Sequence, residues 1–375
     1  GLPREGRAER EVWPSSYWPT YRDSINDRWI SNELSPAEKY DQAFNGWVPS
    51  EGFMDLKPYG KTSGPDCGSY DETYYEQLGP LAGHISRYMG NRAARDGVDS
   101  DGDGEVDECD DQDGVERWFG LCHAWVPAAM REDRPLRAVE HNGVTFHPGD
   151  IEALLIAAYN RHGSEFIGSR CNDKGEDVKR DEQGRAVDLR CRDTNPGTLH
   201  VIMTNYLGLN QTAFAEDRTY DYEVWNQPVI AYEVTRMKSI SVAKANDKLG
   251  LSQPRRWNRL WSRERSDHTY SRTPEVAKLY DVHANVTYVT ESHASRQPAV
   301  ASNYEVTDTY TYILEVDQNG LVIGGEWYGD SVDHHPDFLW NPWRSEESSV
   351  PHLDLDEVRE LVRKSREPVS SEAPA

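Results

Sequence analysis

A single proline limits where one helix of this chain can begin. Residues 124–131 have a helix-forming composition interrupted by Pro127. Proline fits an α-helix in its first turn, where its missing N–H is not needed. The helix is therefore expected to start near Ala124, which puts Cys122 at its entrance. That cysteine follows Gly120-Leu121 and lies in an aromatic frame of Trp118, Phe119 and Trp125. A helix N-terminus offers partial positive charge and unpaired N–H groups, which favour a thiolate and can hold an oxyanion. A cysteine in such a place can also be no more than a small buried side chain.

Cysteine arithmetic bears on that choice. The five cysteines are Cys67, Cys109, Cys122, Cys171 and Cys191. Cys171 and Cys191 bracket a polar loop, as a hairpin staple would. Cys67 and Cys109 flank a helical segment and an acidic loop. If those pairs form, Cys122 is left free and the compartment is oxidising; other pairings satisfy the same count. The formal net charge of −24 excludes a nucleic-acid footprint and argues against an anionic membrane surface. No apolar run is long enough to span a bilayer. A start at Gly1 is what removal of a secretion signal would leave. Together these point to a secreted protein.

The chain divides by pattern. Residues 1–65 read as an aromatic arm, a possible pro-segment, with one helix capped by Ser35 and opened by Pro36. Residues 66–345 carry the expected catalytic domain, and 346–375 a C-terminal helix (355–364) and a disordered tail. Helices are expected at 71–95, with a break at Gly79-Pro80, and at 151–160, capped by Asp150. Strands are expected at 198–206, 220–234, 285–290 and 304–316, with a hairpin turn at Gln318-Asn319-Gly320 leading into 321–328. The predicted fold class is α+β, with helices packed on an antiparallel sheet.

The acidic loop has its own chemistry. Asp99, Asp101 and Asp103 stand at loop positions one, three and five of a calcium-loop pattern, followed by Gly104, Glu105, Asp107 and Asp110. Calcium takes many hard oxygen ligands around a tight turn. Asp110 departs from the usual Glu at the last position. A Ca²⁺ held there would sit close in sequence to Cys122. An acidic solvated loop is the alternative.

A cysteine at a helix entrance, a histidine on a later strand and an acid on the next is the order of papain-like and transglutaminase-like enzymes. The thiolate attacks a carbonyl, the imidazole moves the proton, and the acid orients the imidazole. Cys122, His200 and Asp221 fill that order. Asp217, Asn226 and Asp267 compete for the third role, and His268 and His283 for the second.

Three segments carry a resemblance. Val224-Trp225-Asn226-Gln227-Pro228-Val229 closely resembles the start of a peptide that plants detect in a secreted oomycete transglutaminase. With Gly120-Leu121-Cys122-His123-Ala124-Trp125 and Gly324-Gly325-Glu326-Trp327-Tyr328, the chain is identified as a member of the transglutaminase elicitor family. The family's members are secreted by oomycetes, with relatives in marine bacteria; the acidity of this chain fits the bacterial branch. The resemblance runs from about Trp13 to Trp340. It implies a transglutaminase/papain-like core and calcium-assisted acyl transfer between glutamine- and lysine-bearing proteins, with Trp118, Trp125 and Trp225 as cleft walls. The partners expected are protein substrates, with no nucleic acid and no membrane, and the protein is expected to be a monomer. A peptidase, a deamidase and a calcium-stabilised recognition protein with an inert cysteine are the rival readings.

Overall fold

The computed structural model describes residues 2–56, 72–90, 116–168, 170, 177–179, 187–191, 194–219, 223–251 and 274–368. Its helices are α1 (Pro36–Phe44), α2 (Glu72–Glu76), α3 (Pro80–Tyr88), α4 (Cys122–Arg131), α5 (Pro148–Ala158), α6 (Pro196–Met203), α7 (Val242–Lys248) and α8 (Leu355–Arg366). Its strands are β1 (Glu5–Arg7), β2 (Val139–His141), β3 (Val144–Phe146), β4 (Ser164–Ile167), β5 (Phe214–Asp217), β6 (Asn226–Ile240), β7 (Lys278–Val289), β8 (Glu305–Val316), β9 (Val322–Trp327) and β10 (Leu339–Pro342). The fold is α+β, and the chain forms two compact units.

One unit comprises Gly1–Glu11, Phe166–Tyr288 and Glu305–Asn341. It carries a sheet in the order β4-β10-β5-β6-β7-β8-β9, with β1 pairing β6. The pairs β1–β6, β5–β10, β5–β6, β6–β7 and β8–β9 are antiparallel. Alternate residues of β8 (Tyr310, Tyr312, Leu314 and Val316) face a core shared with Val229, Val282 and Val286. Leu199 and Met203 of α6 close that core from above the sheet. The opposite face of β8 packs Ile313 against Ala245 of α7. The hairpin turn is where the sequence placed it: Gly320 adopts φ +86°, and Asp317 accepts the Asn319 and Leu321 N–H groups.

The other unit comprises Val12–Glu165, Val289–Tyr304 and Pro342–Ala375. The aromatic arm forms part of its interior, with Trp13, Trp18 and Ile25 buried beside the wholly buried α5. Burying each such side chain contributes about 1.5–3 kcal/mol. The Trp13 indole is satisfied, whereas the buried Trp18 indole N–H has no hydrogen-bond partner among the described residues. The Trp13 indole donates to the Glu132 carbonyl, and Trp125 donates to the Trp13 carbonyl at 3.0 Å. Ser35 and Glu38 form the capping box of α1. The buried Asp41 accepts the Leu81 and Ala82 N–H groups at the start of α3.

Three expected elements are revised. α4 begins at Cys122 itself, so Pro127 lies in its second turn; the helix absorbs one missing hydrogen bond. α5 begins at Pro148 with His147 as its cap, and Asp150 is an interior partner of His147, Lys39 and Trp29. The segment read as a strand at 198–206 is α6 followed by a π-helical turn, Thr204–Leu209. Its start is fixed by Pro196 in the first turn and by the Asn195 side chain, which accepts the Gly197 N–H at 2.8 Å.

Gly83 within α3 and Gly79 at its N-cap give opposite expectations. A Cβ on Gly83 would meet only the Leu78 Cβ at 3.9 Å, so Gly83→Ala should raise stability by about 0.5–1 kcal/mol. A Cβ on Gly79 would fall 2.4 Å from the Asp41 carboxylate, so Gly79→Ala should lower it. Urea unfolding of both variants checks the pair.

Candidate active site

Cys122 is the first residue of α4, is 5 % exposed, and carries a free thiol. Leu121 caps the helix without a side-chain hydrogen bond, so backbone contacts fix the approach. The Leu121 N–H donates to the Tyr17 carbonyl, and the Thr20 N–H donates to the Phe119 carbonyl at 2.9 Å. The Tyr17 hydroxyl donates to the Arg117 carbonyl at 2.8 Å. Gly120 is required between them, because a Cβ there would fall 2.6 Å from the Tyr17 ring and carbonyl. The arm therefore clamps the loop that presents the thiol.

The electrostatics around Tyr17 are local to this unit. Burial, then Tyr21 and Glu291, push its phenol up to about 12, and the Cys122 thiol is among the groups it feels. Tyr17 is thus a neutral neighbour of the thiol, and Glu291 is a carboxylate near Tyr17. The Ser292 N–H donates to the Ser15 carbonyl at 2.8 Å, which holds that segment against the arm. His123 is engaged with Asn160. Its Nε2 lies 3.0 Å from Asn160 Oδ1, and burial lowers its pKa. Trp118 is half-buried and packs edge-on to Phe119, with ring centroids 4.4 Å apart. Trp125 does not line a cleft: it is fully buried in the interior of its unit.

The sheet-bearing unit holds the other described candidates. His200 lies on α6, not on a strand, and is 3 % exposed. Its Nδ1 is 2.7 Å from the Tyr312 hydroxyl. Burial alone brings its pKa down to about 4. Asp217 is committed locally, because its Oδ1 accepts from the Trp225 N–H and from the Thr219 N–H and hydroxyl. Asn226 accepts the Trp340 indole N–H at 2.9 Å. Trp225 is half-buried and donates to Glu223. His283 shares the Tyr328 hydroxyl with Asp281 and Lys248.

Several expectations lie outside the described residues: Asp221, Asp267, His268, Cys67, Cys109, Cys171 and the acidic loop Asp99, Asp101, Asp103, Glu105, Asp107 and Asp110. Cys191 is disulfide-bonded. Among the described residues, no group of three or more His, Cys, Asp or Glu side chains is placed to hold a metal ion. No helix among them is long and apolar enough to cross a membrane.

The sequence reading missed Tyr17, Glu291, Tyr312 and Glu216. Only the aromatic richness of the arm hinted at the first. Glu216 is fully buried on β5, and neither carboxyl oxygen has a hydrogen-bond partner among the described residues. Burial, then Asp308, pushes it up to about 8, and burial pushes Asp217 up to about 7.

The family model for the transglutaminase elicitor matches residues 1–58 and 96–368. The chain belongs to the transglutaminase elicitor family. The matched span includes Cys122, His200 and Asp221. Among solved structures, the chain is similar to the GP42 transglutaminase from Phytophthora sojae, with 28 % identity and a TM-score of 0.66. The match covers 97 % of this chain and 92 % of that one. No match was found among curated proteins. For this member of the transglutaminase elicitor family, the revised α4 start makes Cys122 part of the helix's first turn.

Two outcomes follow from this geometry. Gly120→Ala must displace Tyr17 or the thiol loop; it should cost about 1–3 kcal/mol in denaturant unfolding and slow alkylation of Cys122 in the folded protein. The raised carboxyls set a pH slope. From the ordinary Glu value of 4.5 up to about 8, the folded chain holds a proton on Glu216 that the unfolded chain has released. Stability therefore falls as pH rises through that window. His200 opposes this only below its unfolded value of 6.5. Glu216→Gln should flatten the loss between pH 6.5 and 8 in thermal melts.

Proposed function

We propose that the protein is an extracellular protein-glutamine γ-glutamyltransferase that crosslinks protein substrates. The observation that carries this is the free Cys122 thiol in the first turn of α4, in a chain of the transglutaminase elicitor family. Helix dipole and first-turn N–H groups favour the thiolate and the oxyanion formed when it attacks.

The sulfur attacks the carboxamide carbon of a glutamine side chain. The C–N bond breaks, the thiol proton leaves with the nitrogen as ammonia, and a thioester remains. A lysine amine then attacks the thioester, forming the isopeptide bond, and one of its protons restores the thiol. Water in place of the amine gives deamidation. His200 is the imidazole of this site and Asp221 its acid, with Asp267 the alternative. Asp217 and Asn226 are weaker candidates because their described hydrogen bonds tie them to their own strand and loop.

Calcium is proposed as a structural ion on Asp99, Asp101, Asp103, Glu105, Asp107 and Asp110, a donor set of hard oxygens suited to it. No reaction step is routed through it. Cys171–Cys191 and Cys67–Cys109 are the proposed disulfides, consistent with a bonded Cys191, a free Cys122 and secretion. The protein is proposed to act as a monomer.

Incorporation of a labelled primary amine into a glutamine-bearing protein tests the reading. Wild type should incorporate the amine, and Cys122→Ala should lose all detectable activity. Ammonia release without incorporation would identify a deamidase, and no turnover by the folded wild type would refute the transferase. Chelation should lower the melting temperature; an unchanged melt would remove calcium from the proposal.

A further inference from the structure

A cavity of about 340 Å³ lies within the sheet-bearing unit. It is bounded by the residues that follow β5, the first half of β8 and the 3₁₀ turn Gly329–Val332. Its walls include Arg218, Asp308, Tyr310, Asp330 and His334. Its size is in the range of small-molecule sites.

A buried carboxyl stands beside that wall. Glu216 is two residues from Phe214 on β5, and Asp308 is two residues from Tyr310 on β8. Phe214, Tyr288 and Tyr310 face one core. Strand alternation therefore turns Glu216 and Asp308 toward the same face of the sheet. The electrostatics agree. Burial and then Asp308 push Glu216 up, and Arg218 does not offset them. Burial and then Glu216 push the Tyr310 phenol up. Glu216 thus neighbours three residues of the cavity wall.

Glu216 is wholly buried, and neither of its oxygens has a hydrogen-bond partner among the described residues. A buried polar group left in that condition is uncommon in a native protein and calls for an explanation. The Arg218 guanidinium sits over the Tyr288 ring, 5.7 Å from its centroid, and leaves both Glu216 oxygens unbonded.

Charge selects the class of occupant. Glu216, Asp308 and Asp330 set three carboxyls against the one guanidinium of Arg218. An anion would be repelled. An apolar molecule would strip water from Asp308 and leave Glu216 unpaired. Among the described residues, no three His, Cys, Asp or Glu side chains are placed to hold a metal ion. A primary ammonium meets the demand with one positive charge, three N–H donors and attraction to a phenol ring.

We propose that this cavity binds a small primary ammonium ion, with Asp308 as its acceptor, the Tyr310 ring beside it and Glu216 as the buried counter-charge. The proposal does not rest on the acyl-transfer reading. Glu216, pushed up to about 8, holds its proton at pH 7 in the empty protein. A cation entering nearby favours the carboxylate. The Glu216 O–H bond then breaks, and its proton passes to the buffer as the ion binds.

Calorimetric titration of the full chain with n-butylammonium chloride tests this. It is run in two buffers that differ in heat of ionisation and contain no primary amine. At pH 7 binding should release close to one proton per ion, and at pH 9 almost none. Affinity should rise between pH 6 and 8, by up to about tenfold per pH unit. Glu216→Gln should abolish the release and the pH dependence and weaken binding about tenfold or more. His334 also faces the cavity, and loss of the release in Glu216→Gln assigns the proton to Glu216. Asp308→Asn should weaken binding while keeping a proton release, and it decides the matter if Glu216→Gln does not fold. Absence of binding heat, or binding without proton release, would overturn the inference. So would competition by Ca²⁺ that Glu216→Gln abolishes, which would assign the cavity to a metal. Amine binding that both variants leave unchanged would place the ion elsewhere and overturn it too, whatever becomes of the transferase reading.

Discussion

The Leu121 N–H bonded to the Tyr17 carbonyl is the contact on which the thiol site depends. It joins the arm to the residue that precedes Cys122. Around it, the Trp13 indole donates to the Glu132 carbonyl at the far end of α4, the Trp125 indole donates to the Trp13 carbonyl, and Gly120 leaves room for the Tyr17 ring. Helix α4 has no side-chain cap, so its first turn is held by neighbours and not by its own sequence. The N–H groups that give a helix entrance its chemistry are useful only when their direction is fixed, and here packing fixes it.

The sheet-bearing unit follows a different rule. Its strands enclose ionisable groups in their less charged states: His200 without its proton, Glu216 and Asp217 with theirs. Each results from burial, and none is relieved by a strong ion pair. Such groups reduce stability at some pH, which is tolerable where the charge is not needed for folding. Asp281 shows the opposite solution in the same unit. It has Arg236, Lys248 and the Tyr328 hydroxyl around it, and its pKa is lowered.

Legibility in the sequence followed the range of the interaction. The Ser35-Pro36 helix start, the Gln318-Asn319-Gly320 turn and the C-terminal helix were readable because a few adjacent residues decide each. The break before Pro80 was readable for the same reason. α6 was misread because Leu199, Val201, Ile202 and Met203 suit a strand as well as a buried helix, and the Asn195-Pro196 start was passed over. β5 was missed because Glu216 and Asp217 look like surface residues and are buried. At the site, Cys122 was legible from glycine, proline and cysteine count. Tyr17, Glu291 and Tyr312 were not, because each acts on a partner far along the chain.

The contact between the Ser292 N–H and the Ser15 carbonyl has a consequence for synthesis. Residues 15–20 meet 119–121 on one side and residue 292 on the other, within one unit. The setting of Cys122 is therefore assembled from three stretches of chain far apart in sequence. Loop closure of that span is slow compared with local helix formation. A nascent or truncated chain carries the cysteine without the setting that orients it. The contacts around the Cys122 loop can all close only once residue 292 has been made.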